Sequence, residues 1–375
     1  MADKIALLTP YDISTAQGST EIYYISQGLS ERYKLDIFSP HDPMLPSANF
    51  RKIPFIQFIP DLLLFNIIAL PVMLYYCLVC DYDVIYSYKG FIFSPLFMAL
   101  TCEAKWITDF RTKPTEQEKE FNQGSIFVIA YYKLQDILYK FCLTHSDCVI
   151  SISTPVADHI REKYSVDGSK MKVIQSGVDT SKFLKRENCG SEDPIKLVYV
   201  GTVSPQRDFE TVIEAMSSPN LTRNIEFHIV GDGPDEHLKK LKQQISSEGV
   251  DNSVVWHGYV KHDNIPNLLT EMHIAVSPLP PLDSFIVSSP VKLFEYLATG
   301  LPVICTNIRP HQVLLKQNSA GLFYQAYDSH SLVNQLNSIP TNDKEWEEMI
   351  DQARRIAEKN SWSNRVSTVI RIIES

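Results

Sequence analysis

Ser289-Pro290-Val291-Lys292-Leu293-Phe294-Glu295-Tyr296-Leu297-Ala298-Thr299-Gly300-Leu301-Pro302-Val303 is the run on which the reading of this chain turns. It spells a helix with marked ends. Ser289 is a good N-cap, and Pro290 suits the first helical position. Gly300 stops the helix and Pro302 prevents its return. The amides at such a start, with the positive end of the helix dipole, point at any nearby phosphate. Lys292 stands in the first turn, where the dipole disfavours a cation, which points to its use on an anion. Glu295 lies one turn on, among Leu293, Phe294, Leu297 and Ala298. A carboxylate there accepts two hydrogen bonds, which suits the paired hydroxyls of a ribose. A plain capped helix with Lys292 and Glu295 on its solvated side is the competing reading, and the run alone leaves both open.

Outward from this run, short β-rich segments alternate with helical stretches along the whole chain. In the first half the strands read Lys4 to Leu8, Leu35 to Phe38, Val84 to Tyr86, Trp106 to Thr108, Cys148 to Ser151, and Val173-Ile174. In the second they read Leu197 to Val200, Phe227 to Val230, Val254 to Trp256, Ile274 to Val276, and Val303 to Cys305. Such alternation implies right-handed crossovers and parallel sheets covered on both faces. The polar segment from Leu184 to Pro194 has the composition of a linker. The expectation is therefore an α/β chain of two doubly wound domains: residues 1–184, and residues 195–359. The closing stretch reads as two helices, the last (about 360–375) packing back on the first domain, with Val366, Val369, Ile370 and Ile373 at helical spacing. Ligands of such sheets bind beyond the carboxyl ends of the strands, so two facing domains would frame a cleft.

The bulk numbers fit. With 375 residues the chain exceeds what one core usually serves. Apolar residues make up 44% and charged residues 21%, as in ordinary globular enzymes. A net charge of -9 argues against a nucleic-acid partner. Seven scattered cysteines, and a Lys4–Leu8 run too short for a signal-peptide core, read as reduced thiols in a cytoplasmic protein. Cys77 and Cys80 have a zinc-like spacing without a second pair, so core packing is the better reading. Ile53 to Cys80 is mostly apolar but is broken by Pro60, Asp61, Asn66 and Pro71. It reads as a buried helix, with a membrane-surface helix as the alternative. The aromatic run Ile126 to Tyr132 keeps that alternative open.

Pro290-x-Lys292-x-x-Glu295-x-x-Ala298-x-Gly300-x-Pro302-Val303 resembles the signature of the family 4 glycosyltransferases, which have the GT-B fold. Four further segments resemble family markers in the family's order. They are Ile174 to Asp179 with Phe183, Val200-Gly201-Thr202 with Arg207, Ile229 to Pro234, and Trp256 to Val260. The resemblance implies two Rossmann-like domains across a cleft, an acceptor domain first and a donor domain second. It implies a nucleoside-diphosphate sugar donor (UDP- or GDP-sugar), retention of anomeric configuration, and no metal or other cofactor. Glu295 would contact the donor ribose. Arg207 and Lys292 would face the diphosphate, where an arginine makes bidentate contacts. Gly231, Gly233, Val260, Ser289, Pro290 and Val291 would line the donor. Gly231 and Gly233 would turn the chain and leave room for a nucleotide.

Two positions depart from the family pattern. Val287 stands where the family often carries a second acid near the transferred sugar, and Thr202 where an arginine often follows the glycine. In the first domain the family's Gly-Gly loop is reduced to Gly18-Ser19, which still offers backbone donors. Asp109, past the strand at Ile107, is a candidate for orienting or deprotonating an acceptor hydroxyl. Arg111 would pair with it or hold an anionic acceptor. The polar segment Gln117 to Ser125 reads as a loop over the acceptor. The acceptor is a glycan or a lipid-linked molecule, with peripheral contact at the inner face of a membrane left open. The rival functions are a nucleotide-sugar epimerase of the same fold and a non-catalytic nucleotide-sugar-binding subunit.

Overall fold

The computed structural model describes residues 2–15, 20–53, 62–88, 103–111, 126–186, 193–315 and 319–375. The chain divides into two compact units. One comprises Met1–Ser176 with Trp362–Ser375, the other Gly177–Ser361.

The first unit is built on seven parallel strands in the order β3-β2-β1-β4-β5-β6-β7. They are β1 (Lys4–Leu8), β2 (Lys34–Ser39), β3 (Ala48–Lys52), β4 (Val84–Tyr88), β5 (Lys105–Phe110), β6 (Cys148–Ser151) and β7 (Met171–Val173). Alternation along the strands assigns the two faces. Ile5, Leu7, Leu35, Ile37, Ile107 and Ile150 bury against α1 (Thr20–Ser30) and the last helix, α13 (Trp362–Glu374), through Ile22, Ile25, Leu29, Val369, Ile372 and Ile373. Helix α13 is tied to this unit in detail. Tyr24 stacks on Trp362 with centroids 5.3 Å apart. Glu374 accepts from Arg32 at 2.6 Å and from Tyr33 at 3.0 Å. Gly28 admits the close approach of α13: a Cβ there would lie 2.3 Å from Val366 Cγ1.

Helices α2 (Leu62–Val79), α3 (Ile126–His145) and α4 (Thr154–Tyr164) are the other helices of this unit among the described residues. Phe38 of β2 meets Tyr76 of α2 edge-on at 5.5 Å, and Phe110 of β5 meets Tyr139 of α3 at 5.0 Å. Phe38 and Phe110 alternate with Ile37 and Asp109, so α2 and α3 cover the sheet face opposite α1 and α13. Helix α2 buries Ala69, Met73 and Cys77, one turn apart. Among the described residues no helix is long and apolar enough to cross a membrane.

The second unit has six parallel strands in the order β10-β9-β8-β11-β12-β13. They are β8 (Ile195–Val200), β9 (Ile225–Val230), β10 (Val254–Gly258), β11 (Ile274–Ser277), β12 (Val303–Thr306) and β13 (Gly321–Tyr324). Its helices are α5 (Phe209–Ser217), α6 (Asp235–Ser247), α7 (Ile265–Thr270), α8 (Asp283–Ile286), α9 (Val291–Thr299), α10 (Arg309–Leu315), α11 (Ser329–Asn337) and α12 (Asp343–Lys359). Leu197 and Tyr199 join one core layer, Val198 and Val200 the other. Each side chain so buried contributes about 1.5–3 kcal/mol. The sequence of β3, Ala-Asn-Phe-Arg-Lys, gave no strand signal, and β13 was also missed. Both are edge strands, paired on one side only, and neither has to be apolar on both faces. In each unit the strand order reverses at a switch point, between β1 and β4 and between β8 and β11, where such sheets bind ligands.

Candidate functional site

The quoted run forms α9, but its start differs by one residue from the expectation. Pro290 itself is the N-cap, extended at ψ 100, and the helix begins at Val291. Ser289 is buried one residue outside the cap. Pro290, as the N-cap, makes no side-chain capping bond. That matches the start of a helix which leaves its first amides for a ligand. At the other end Gly300 is left-handed at φ 82 and its amide bonds back to Leu297 and Tyr296 carbonyls. A Cβ on Gly300 would also lie 2.9 Å from Ile350 Cγ2.

Glu295 is not on a solvated face. Its side chain is 5% exposed and sits between two donors. Lys292 Nζ lies 2.8 Å from Oε2, and His262 Nε2 lies 3.1 Å from Oε1. Lys292 and His262 remain 37% and 41% exposed, so the carboxylate is held at depth by two groups that reach the surface. His262 escaped the sequence reading, although the segment ending at Val260 pointed to its neighbourhood. Val260 packs against the apolar layer beneath α9.

Tyr296, the next residue, ties α9 to the end of β8. Its hydroxyl accepts from the Val200 amide at 2.7 Å and lies 3.3 Å from the Val200 carbonyl. Beyond Val200 the loop runs through Gly201 to Arg207. The Arg207 guanidinium lies 5.7 Å from the Tyr199 ring and 5.6 Å from the Phe285 ring on α8. Asp208 fixes this loop twice: its amide donates to Pro278 at 3.0 Å, and its carboxylate accepts from the Tyr327 amide at 2.8 Å. Arg207 and the start of α9 thus belong to the loops after β8 and β11, on either side of the switch point.

Gly231 and Gly233 are explained by backbone contact within the protein. A Cβ on Gly231 would lie 1.8 Å from the Gly201 carbonyl oxygen, and one on Gly233 would lie 1.7 Å from that of Val203. Gly231 also has φ 146, which a side chain rarely adopts. Gly201 donates to Val230 and Val203 donates to Asp232, both at 2.9 Å. The glycines let the loops after β8 and β9 zip together.

A second group missed by the sequence reading lies under the same loops. His311 is fully buried, with Nδ1 2.8 Å from the Thr306 carbonyl and Nε2 3.0 Å from Ser277 Oγ. Desolvation lowers its pKa to about 4. It is therefore neutral near neutral pH, donating from Nδ1 to Thr306 and accepting from Ser277. Thr306 Oγ1 in turn donates to the Leu279 carbonyl at 2.5 Å. The chain fastens the ends of β11 and β12 to the loop leading into α8.

In the first unit, Gly18 and Ser19 lie outside the described residues, as does the segment Gln117 to Ser125. Asp109 and Arg111 are brought together, but inside the protein. Asp109 is fully buried. Its Oδ2 accepts from Tyr86 at 2.5 Å and from Arg111 at 2.7 Å, and its Oδ1 is 2.6 Å from Arg111 Nε. Arg111 also donates to the Ile174 carbonyl at 2.7 Å. Burial works against the guanidinium charge, but Asp109 more than offsets it and raises the pKa. Burial and then the Asp109 charge hold the Tyr86 hydroxyl far above its usual range. This geometry supports an internal brace between the ends of β4, β5 and β7, not a carboxylate presented to an acceptor. Asp109 is buried because its side chain follows the inward parity of Ile107, and the pairing with Arg111 read from the sequence is present. Among carboxylates, Glu21 is the less buried one at this edge: it accepts from Ser176 at 3.0 Å and from Tyr88 at 3.4 Å.

Two doubly wound α/β units, each a parallel sheet with a switch point, define the GT-B architecture. Residues 19–182 match the model of Glycosyltransferase Family 4, and residues 181–356 match Glycosyl transferases group 1. The chain belongs to the family 4 glycosyltransferases. The solved structures agree in fold. Sucrose-phosphate synthase from Thermosynechococcus elongatus superposes with a TM-score of 0.73 at 16% identity, over 99% of this chain and 98% of that one. HepE from Anabaena, in complex with UDP and glucose, gives 0.68 at 16% identity, over 99% of each chain. Among curated relatives, an Escherichia coli UDP-Gal:alpha-D-GlcNAc-diphosphoundecaprenol alpha-1,3-galactosyltransferase is 28% identical over 226 residues, 57% of this chain and 55% of that protein. The matched region thus spans little more than half of that relative's length.

Proposed function

We propose that the chain transfers a sugar from a nucleoside-diphosphate sugar to a hydroxyl of a glycan or lipid-linked acceptor, with retention of anomeric configuration. The observation that carries this reading is Glu295, held at depth between Lys292 and His262 one turn into α9. A bound ribose would exchange its paired hydroxyls for part of that bonding. The diphosphate would then lie at the α9 amides, within reach of Lys292 and Arg207. Departure of the nucleoside diphosphate builds charge on its β-phosphate, and fixed cations and amides aimed there lower the barrier. Charge stabilisation by Lys292, Arg207 and the amides lets the reaction run without a metal.

The E. coli relative's UDP-sugar donor and lipid diphosphate acceptor, and UDP bound to HepE, favour a UDP-sugar and a lipid-linked acceptor. A cytoplasmic setting fits Cys80, Cys148 and Cys305, which form no disulfide. A panel of UDP- and GDP-sugars tested by thermal shift identifies the donor, since a tight ligand raises apparent stability. Glu295→Ala should abolish the shift. A protein that no nucleotide sugar stabilises, or a Glu295→Ala variant that binds as tightly as the parent, defeats the reading. Conversion of the donor to another sugar nucleotide without any acceptor makes the protein an epimerase instead.

A further inference from the structure

Arg207 is a cation that the second unit holds without a counter-charge. Among the described residues no carboxylate pairs with its guanidinium. Asp208, the next residue, spends its carboxylate on the Tyr327 amide at 2.8 Å. Lys292, by contrast, already pairs with Glu295 at 2.8 Å. The neighbours of the half-buried Arg207 are aromatic: its Cζ lies over the Tyr199 ring at 5.7 Å and over the Phe285 ring at 5.6 Å. A ring face attracts a guanidinium through its quadrupole, yet it cancels none of the charge and takes none of the N–H donors.

Both rings are firmly set. Tyr199 is buried, donates its hydroxyl to the Thr202 carbonyl at 2.8 Å and meets Phe209 edge-on at 4.7 Å. Phe285 sits in a closed turn. Its amide donates to the Leu282 carbonyl at 2.9 Å, and its carbonyl accepts from the Ser288 amide at 3.1 Å and from Ser288 Oγ at 2.8 Å. That turn is fastened upstream at Leu279 by Thr306, and it runs on into α9. A loose arginine side chain samples many rotamers, and fixing it at the moment of binding costs affinity. We propose that Phe285 is a positioning residue: with Tyr199, its ring holds the Arg207 guanidinium ready for the donor diphosphate while leaving charge and donors unspent. The proposal rests on the sugar-transfer reading, which supplies the diphosphate.

The test is calorimetric titration of the full chain with UDP and with GDP, and competition by uridine and guanosine, which lack the phosphates. Phe285→Leu keeps the apolar bulk and loses the ring face. It should weaken binding of the diphosphate roughly threefold to tenfold and leave the affinity for the nucleoside alone. Phe285→Tyr keeps the ring face and should bind as the parent does. In an Arg207→Ala background Phe285→Leu should change nothing further, because the ring acts through the arginine. Circular dichroism and melting show whether each variant folds. A trifluorinated phenylalanine at position 285, close to the natural shape but with a weaker ring face, should show part of the same loss and serves where Phe285→Leu does not fold. Binding of UDP or GDP that neither replacement weakens overturns the proposal alone. So does an equal loss for the nucleoside, or a loss as large without Arg207. A parent that binds neither UDP nor GDP defeats the sugar-transfer reading and the proposal with it.

Discussion

Two carboxylates in this protein sit at equivalent-looking places, one per unit, and have opposite fates. Asp109 stands near the end of an apolar strand and Glu295 follows the first turn of an apolar helix, and neither retains much exposure. Asp109 is sealed with Arg111 and Tyr86, all of them inside the first unit. Glu295 is buried too, but its partners Lys292 and His262 reach solvent, so a ligand can displace them. What separates a brace from a binding group is the exposure of the partners, not of the carboxylate.

The comparison breaks most visibly at Arg111. Arg111→Ala leaves a buried carboxylate unpaired and should cost about 3–5 kcal/mol, read as a lower urea midpoint. A loss below about 1 kcal/mol, with acceptor use abolished, would return Asp109 and Arg111 to the reacting centre.

His311 tests whether the second unit also has a sealed brace. Its folded pKa, about 4, lies below the ordinary 6.5, so the unfolded chain takes up a proton that the folded one refuses. Stability is full above about pH 6.5 and falls as pH drops towards about 4, by about 3 kcal/mol across the window. Unfolding followed between those limits should show this slope in the parent and lack it in His311→Gln.

Tyr296→Phe orphans the buried Val200 amide and should cost about 1–3 kcal/mol. Because Val200 leads into the Arg207 loop, donor affinity measured by calorimetry should fall with it. An unchanged affinity would uncouple α9 from that loop. The smallest stability effect is expected at the open site. Lys292→Ala should change stability by no more than about 1 kcal/mol, since half-exposed ion pairs contribute little. Donor binding should nonetheless weaken roughly tenfold or more, the mark of a group kept for a ligand charge.

Much of this was legible. The helix from Val291 to Thr299 was legible because caps, a stop glycine and apolar spacing are local signals. Central strands were legible because burial on both faces demands apolar runs. Edge strands β3 and β13 were not, since one-sided pairing relaxes that demand. His262 and His311 were invisible for a different reason. Their partners Glu295 and Ser277 lie 33 and 34 residues away, and no local pattern encodes such a meeting.

By itself, then, the sequence determined the two doubly wound units, the family, and the helix from Val291 to Thr299, because periodicity and turn chemistry act over a few residues. Only the tertiary structure decided which charges are sealed and which are offered. Side-chain parity at β5 turned Asp109 inward, and the approach of His262 to α9 held Glu295 at depth with its partners in solvent. Backbone contact between two loops, which no local pattern encodes, adds its own need for glycine at Gly231 and Gly233.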